Sequence, residues 1–509
     1  MIDESKISDS ASIYMLTWAA IFNKYQPHKH VRRLQLRIVK AVKQNRWGQV
    51  KYLSRILTSS FYAKLLAISR ATSNKGKNTP GVDKKTWLTD NEKVQAISRL
   101  NRKGYKPLPL RRIHIPKKDR TKLRPLSIPT IKDRAMQALY LLALEPIAET
   151  LGDPNSYGFR KFRSCADAIQ MCFNALCHKY DAQWVYEADI KSCFDKISHQ
   201  WLLANIPMDN AILRKWLKCG YVENYRKFNT NEGTPQGGII SPVLMNMTLD
   251  GLELFFRQMF PTWKRSKVNF VRYADDFVIT APSKELIENQ IAPLVENFLK
   301  ERGLQISPEK TRISHISEGF DFLSQNVRKY GNKLLIKPSK GSVTSFKEKI
   351  KHAVQQSKGH AAHTLICKLN PIIRGWVNYH KHIVSKRTFW GLSKYIFAKL
   401  MKWAKQQHPN KKIHWIWNKY FTSGERNGRF SAQVHGKDGK LRSFQLFEIG
   451  LVPIRRFVKV KSEANPFDET FDKYFMQRRK DKQKTAEISH QKCIYLLNTF
   501  NKDKRTSKL

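Results

Sequence analysis

Three shortages in this sequence each remove a class of explanation. Its seven cysteines, Cys165, Cys172, Cys177, Cys193, Cys219, Cys367 and Cys493, include no Cys-x-x-Cys pair. Structural zinc sites draw ligands from such pairs, and disulfide frameworks belong to small secreted domains, so neither is expected. Reduced, buried thiols in a cytoplasmic protein are the expectation. Long apolar runs are missing too: nothing approaches the ~20 residues that span a bilayer. The opening MIDESKISDS is polar and partly acidic, unlike a signal peptide, and the apolar IYMLTWAAIF after it is short and has no basic leader. The third shortage is acid. Only 41 Asp and Glu stand against 93 Lys and Arg, a net charge of +52. Such a chain repels itself and attracts polyanions. Nucleic acid is the first partner to expect, ahead of an anionic membrane surface.

What is present supports several packed cores. With 509 residues, 41% of them hydrophobic and 11% aromatic, two to four domains follow. Residues 29–70 read as helices. Val31, Leu34, Ile38 and Val42 recur on one face, and Arg32, Arg33, Arg37, Lys40 and Lys43 fill the rest. That basic face is either solvated or an RNA contact. SNKGKNTPGVD (73–83) is a loop, and LRRIHIPKKDRTKLRPLSIP reads as a β-hairpin with a very basic tip. DRAMQALYLLALEPIAE (133–149) is expected to be a helix ending near Pro146. From 184 to 307 the order is strand, helix, strand–turn–strand, helix closed by Gly303, strand: an α+β sheet domain. In NPIIRGWVNYH (370–380), Asn370 is expected to cap a helix with Pro371 at its first position, and Ile372, Trp376 and Tyr379 share a face. Residues 411–460 look β-rich, with GKDGK as a hairpin turn, and the last 25 residues are polar without a clear core.

The stretch FVRYADDFVIT (270–280) poses a physical problem. It sets two adjacent carboxylates inside an apolar, β-prone segment. Buried charge is expensive, and side chains on a strand alternate between faces. If FVRY and FVIT are two strands and ADD the turn between them, Asp275 and Asp276 both lie at a hairpin tip, open to a cleft. Paired carboxylates repel, and a divalent cation removes that cost; Mg²⁺ prefers oxygen ligands. A solvated polar turn fits the same residues. Asp189, ending the apolar run in VYEADIKSCFD, supplies a third carboxylate in a matching context. Three carboxylates at strand ends of one sheet can hold two metals about 3.5–4 Å apart, the arrangement of nucleotidyl transfer.

Taken in order, TPGVD, KLRPLSIPTIKDRAMQ, NSYGFRKFRS, ADIKSCFD, GTPQGG, YADD, GLQISPEKT, FDFL, NPIIRGWVNYH and ANPFDETFDKYF resemble the group II intron-encoded reverse transcriptase–maturases of bacteria and organelles. The resemblance implies an α+β right-hand polymerase. Its parts would be a basic helical extension (1–72), fingers and palm (73–345), a helical thumb or maturase X domain (346–410), a small basic DNA-binding domain (411–484) and a polar tail (485–509). It implies that Asp189, Asp275 and Asp276 bind two Mg²⁺ ions, with the Ile190 carbonyl as a further metal ligand. Lys117 and Arg124 would grip the triphosphate of a dNTP at the fingertip, and Pro235, Gln236 and Gly237 would line the nucleotide pocket. Phe194 would lie under the sugar and exclude a 2′-hydroxyl. Lys310 would neutralise phosphate charge or pair with a nearby acid. Arg160 would meet template RNA, Arg374 and Lys381 RNA backbone, and Arg455, Arg456, Lys459 and Lys461 nucleic-acid backbone.

The implied partners are the intron RNA, a DNA target and primer, and dNTPs, with no membrane and no obligate protein partner. The implied setting is a cytoplasmic ribonucleoprotein on the bacterial nucleoid. The sequence departs from the family at Ser324 and Gln325 after FDFL. Its tail, with only His490 and Cys493, is not expected to form the HNH endonuclease that many relatives carry.

Overall fold

The computed structural model describes residues 17–116, 123–260, 266–421, 428–435 and 440–481. The helices Trp18–Tyr25, Pro27–Lys43, Trp47–Ser59 and Phe61–Thr72 lead the chain. The last three pack on the long helix Ile131–Leu151, which is buried along most of its length. That helix does not end at Pro146, as expected, but continues to Leu151. A proline inside a helix leaves the carbonyl four residues back without its usual donor. Here the orphan is the Leu142 carbonyl, and the buried Gln35 amide, reaching over from Pro27–Lys43, donates to it at 2.8 Å.

One sheet runs in the order β2-β1-β4-β5, formed by β1 (Leu110–Pro116), β2 (Leu123–Ile128), β4 (Tyr221–Glu223) and β5 (Arg226–Phe228). β1 and β2 make the expected hairpin; its basic tip, with Lys117, lies outside the described residues. The central sheet is antiparallel, ordered β6-β7-β3-β8 from β6 (Asn269–Tyr273), β7 (Asp276–Ala281), β3 (Trp184–Asp189) and β8 (Arg312–His315). Tyr186, Ala188, Phe270, Phe277 and Ile279 point into the large helical core on one face. Val185, Val271 and Val278 point the other way, into a core shared with the helix Cys165–Leu176. Strands buried on both faces read as continuous apolar runs, which explains the texture of FVRY and FVIT.

β9 (Phe320–Phe322), β10 (Gln325–Tyr330) and β11 (Lys333–Pro338) form a small sheet on that second core. Phe322 faces Gln325 across a two-residue turn, and Leu323 and Ser324 take φ of +49° and +62°, as a type I′ hairpin requires. The family departure at Ser324 and Gln325 therefore coincides with a tight turn and a fully buried Gln325.

The helices Lys340–Gln355, Ala362–His380, Lys386–Gln407 and Ile413–Phe421 share one core with the hairpin of β12 (Ser431–His435) and β13 (Leu441–Gln445). Two expectations fail here. Among the described residues, 411–460 hold the helix Ile413–Phe421, this hairpin and a short helical turn at Ile449–Leu451, because Ile416, Tyr420 and Phe421 form a helical stripe buried in the shared core; the GKDGK turn lies mostly outside the described residues. Nor does a helix start at Asn370. Leu365, Ile366, Leu369, Ile373 and Val377 make an unbroken buried stripe that carries the helix through Pro371. The Asn370 side chain donates to the Gln445 carbonyl (2.9 Å) and accepts from the Phe447 amide (2.8 Å), so it pins the hairpin instead of capping its own helix.

Beyond 455 the chain returns to its beginning. Val460, Ala464 and Phe475 join the core under the central sheet. Arg32 donates to the Pro466 carbonyl (2.6 Å) and pairs with Asp472 (2.8 Å), and Lys43 pairs with Asp468. Arg32, expected to contact RNA, is thus engaged by the chain's own C-terminal segment. Residues on both sides of position 72 share one core, and residues on both sides of position 410 share another. None of the six described cysteines is in a disulfide, but Cys367 is exposed, contrary to expectation. Among the described residues no helix is long and apolar enough to cross a membrane.

Candidate active site

Tyr273 pairs with Asp276 across β6 and β7, leaving Ala274 and Asp275 as the turn. Ala274 takes φ +61°, an uncommon conformation for a residue with a side chain. On the other side of β7, Asp276 is in register with Asp189, the last residue of β3. Directly opposed residues place their Cβ atoms about 5 Å apart and on the same face. Asp276 is exposed, and Asp189 and Asp275 are half-buried.

The electrostatics show the expected conflict. Burial pushes the Asp275 carboxyl above its usual range and the charge of Asp189 adds to this, while Arg124 and Lys310 pull it back. The three carboxylates do not all approach within 4.8 Å of one another. Instead Lys310 Nζ donates to Asp189 Oδ2 at 2.7 Å. That hydrogen bond holds the ammonium above its usual range against some desolvation, and the charges of Asp276 and Asp275 reinforce it. Of the two readings for Lys310, the ion pair is the one present. A hard, anionic, oxygen-only donor set that already gathers cations suits a divalent metal. Ile190 forms a bridge with Ile306, through Lys191 N to the Gln305 carbonyl (2.9 Å) and Ser307 N to the Asp189 carbonyl (2.8 Å); neither bond uses the Ile190 carbonyl.

The turn is braced from behind. Arg272, fully buried on β6, donates to the Ala274 carbonyl (3.3 Å) and Asn246 Oδ1 (3.2 Å), and pairs with Asp250. Its backbone pairs with the NSYGF segment: Arg272 N reaches the Asn155 carbonyl at 3.0 Å, and Tyr157 N reaches the Arg272 carbonyl at 2.9 Å. Gly158 lies so close that a Cβ there would sit 2.3 Å from the Ala274 nitrogen. Arg160, expected to meet template RNA, has a side chain only 7% exposed. It grips Glu149 with two bonds of 2.8 Å and donates to the Ser156 carbonyl at 3.0 Å. Charge alone could not reveal this, because its acid comes from another element.

The nucleotide-pocket candidates converge beside this turn. Thr234 N donates to the Phe194 carbonyl (2.6 Å), and Ser127 N, on β2, to the Gln236 carbonyl (2.7 Å). Pro235, Gln236 and Gly237 are therefore wedged between the Cys193–Lys196 turn and β2. Gly237 takes φ +121°, and a Cβ would meet the Ser127 carbonyl at 2.7 Å. Phe194 is half-buried against the core, and exposed Arg124 projects its charge onto Asp275.

The remaining basic candidates scatter. Arg33, Arg37, Arg374, Arg456 and Lys461 are exposed; Lys381 and Arg455 are half-buried. Lys459 is also half-buried and donates to Ser462 Oγ at 2.7 Å. Sequence reasoning missed Arg272, Gly158 and Tyr379, whose hydroxyl donates to the Leu323 carbonyl (2.8 Å) and ties the thumb helix to the β9–β10 turn. An arginine inside an apolar strand was the one available signal.

Comparison with known proteins matches this geometry to families. The family described as "Reverse transcriptase (RNA-dependent DNA polymerase)" matches residues 115–327, "N-terminal domain of reverse transcriptase" matches 18–100, and "Group II intron, maturase-specific domain" matches 343–421. Protein YkfC of Escherichia coli (strain K12) is 33% identical over 323 residues, covering 55% of this chain and 83% of that protein. The chain belongs to the group II intron-encoded reverse transcriptase–maturase family. Group II intron-encoded protein LtrA of Lactococcus lactis subsp. cremoris is 32% identical over 331 residues, covering 52% of this chain and 54% of LtrA. The match thus spans about half the length of that relative. The Putative COX1/OXI3 intron 2 protein of Saccharomyces cerevisiae is 28% identical, over 53% of this chain and 38% of its own length. Within this family the fold is the α+β polymerase architecture, with the sheet and thumb described above.

Proposed function

We propose that the protein is an RNA-directed DNA polymerase that also binds its group II intron RNA, assists splicing, and copies the RNA into cDNA for target-primed retrotransposition. The observation that carries the reading is the register of Asp189 opposite Asp276, with Asp275 at the adjoining turn. Asp189, Asp275, Asp276 and the Ile190 carbonyl would hold two Mg²⁺ ions, which when bound activate the primer 3′-hydroxyl and stabilise the leaving pyrophosphate. Asp189, which accepts from Lys310 in this structure, would be a metal ligand, and Lys310 would supply positive charge toward the triphosphate. Arg124 and Lys117 clamp that triphosphate, the backbone of Pro235–Gly237 shapes the pocket floor, and Phe194 excludes a 2′-hydroxyl. Residues 73–345 would act as fingers and palm, 346–410 as thumb, and 411–484 as a DNA-binding region. Splicing itself is RNA chemistry, to which the protein contributes binding energy for the folded intron.

The direct test is RNA-templated primer extension with dNTPs and Mg²⁺. Wild type is expected to make cDNA and Asp189→Asn to make none; a wild type without cDNA sinks the reading. A splicing-only maturase is the second reading. The closely fitted nucleotide turn, in which Gly237 leaves no room for a side chain, favours a working polymerase.

A further inference from the structure

A cavity of about 520 Å³ opens where the end of the thumb helix, the segment from Arg455 and the C-terminal helical turns meet the start of the helix Cys165–Leu176. Its size lies within the roughly 300–1,000 Å³ of small-ligand sites. The walls are strongly basic: Lys381, Arg455, Arg456 and Arg478 line it, against Asp481 as the one acid among the lining residues. Two of these cations are neighbours by construction, because Arg455 N donates to the Lys381 carbonyl at 2.9 Å. Burial, and then the charge of Arg455, holds the Lys381 ammonium below its usual range.

Aromatic surface interleaves with the charge. Phe457, Tyr474 and His382 also line the cavity, with the Phe457 and His382 rings 6.0 Å apart and the Arg478 guanidinium 5.5 Å from the Phe457 ring. The wall is preformed: Arg478 donates to the Val458 carbonyl (2.8 Å) and to the fully buried Asp167 (3.2 Å), and Lys461 N donates to the Tyr474 hydroxyl (3.0 Å). Side-chain amides of Asn378 and Gln477 stand at the same cavity, the first accepting from Lys381 Nζ (3.0 Å) and the second donating to Asp481 Oδ1 (2.8 Å). Cations, stacking rings and amides in one concavity match a phosphate, a base and a base edge.

We propose that this cavity receives a single unpaired nucleotide of RNA, its phosphate held by Lys381, Arg455 and Arg456 and its base stacked against Phe457. RNA is favoured over duplex DNA because RNA loops and bulges already present splayed-out bases, whereas a duplex must unstack one. The inference rests on the RNA-binding part of the proposed function and not on the polymerase site.

The test is equilibrium binding of the full chain to three probes: an RNA hairpin with one bulged nucleotide, the same hairpin fully paired, and the bulged hairpin in DNA. Wild type is expected to bind bulged RNA about tenfold tighter than either of the others, about 1.4 kcal/mol. Phe457→Leu should bring that ratio close to one. Arg456→Ala, at an exposed position that folding tolerates, should weaken bulged RNA more than paired RNA and reduce its salt slope by about one. Equal binding of bulged and paired RNA, an unchanged ratio in both variants, or equal binding of bulged DNA overturns the inference. Binding of neither RNA overturns it together with the RNA-binding reading. Failure of cDNA synthesis with the bulge preference intact overturns only the polymerase.

Discussion

Lys310 and Gly158 carry the clearest consequences at the level of single residues. The Lys310–Asp189 pair competes with metal for the same carboxylate, and Lys310 is largely exposed. An exposed pair is worth about 0.2–1 kcal/mol, so Lys310→Met should shift the Mg²⁺ requirement of primer extension down by only about 1.4- to fivefold. It should also raise the KM for dNTP, since the ammonium no longer meets the triphosphate. An unchanged Mg²⁺ midpoint contradicts that competition. Gly158→Ala drives a methyl into the Ala274 backbone and is expected to cost about 1–3 kcal/mol of stability, seen in thermal unfolding, and to lose extension activity. The Asp residues were legible in the sequence because their chemistry conflicts with their apolar setting. Gly158 was legible only as a motif letter, because it meets a turn more than a hundred residues away in the chain; Arg272 showed as an arginine inside an apolar strand, but the partners it braces lie on other elements. Arg160 misled for the opposite reason, a cation whose acid lay on another element.

Among the elements, helices and the central sheet followed from periodicity, while both proline positions were misread. The rule that proline ends helices concerns the backbone alone. At Pro146 a side chain from a distant helix, Gln35, takes the orphaned Leu142 carbonyl; at Pro371 a continuous buried stripe carries the helix on. The first case makes a sharp prediction. Gln35→Ala should cost about 1–3 kcal/mol by leaving that carbonyl unpaired. Adding Pro146→Ala restores a helical N–H and should recover most of the loss in a double-mutant cycle; additive effects would show that Gln35 matters for another reason. The β-rich expectation for 411–460 failed because alternation in short basic segments does not distinguish a strand from an extended coil, and the helix Ile413–Phe421 is aromatic enough to resemble either.

Across the whole molecule, the C-terminal segment straps back onto the second helix through Lys43–Asp468 and Arg32–Asp472. Burial pushes the Asp468 carboxyl up, but hydrogen bonds from Lys43 and Thr470 outweigh it and leave it below the usual range. Its stabilisation is therefore present above the ordinary carboxylate pKa and is lost as pH falls through the lowered value. Limited proteolysis of the C-terminal segment should accelerate below about pH 4 and, in Asp468→Asn, already at neutral pH. Equal cleavage rates of variant and wild type at neutral pH would remove the strap from the account. The net charge of +52 sets the larger frame, since affinity for RNA should fall steeply with salt whatever the sequence bound. In the proposed function, polymerase and maturase share this one basic body but not one set of atoms. The most direct test is therefore to assay RNA-templated primer extension and intron splicing side by side with Asp275→Ala plus Asp276→Ala. The account predicts cDNA from wild type, none from the double variant, and splicing from both. A wild type that makes no cDNA, or a folded double variant that still makes it, would contradict the account.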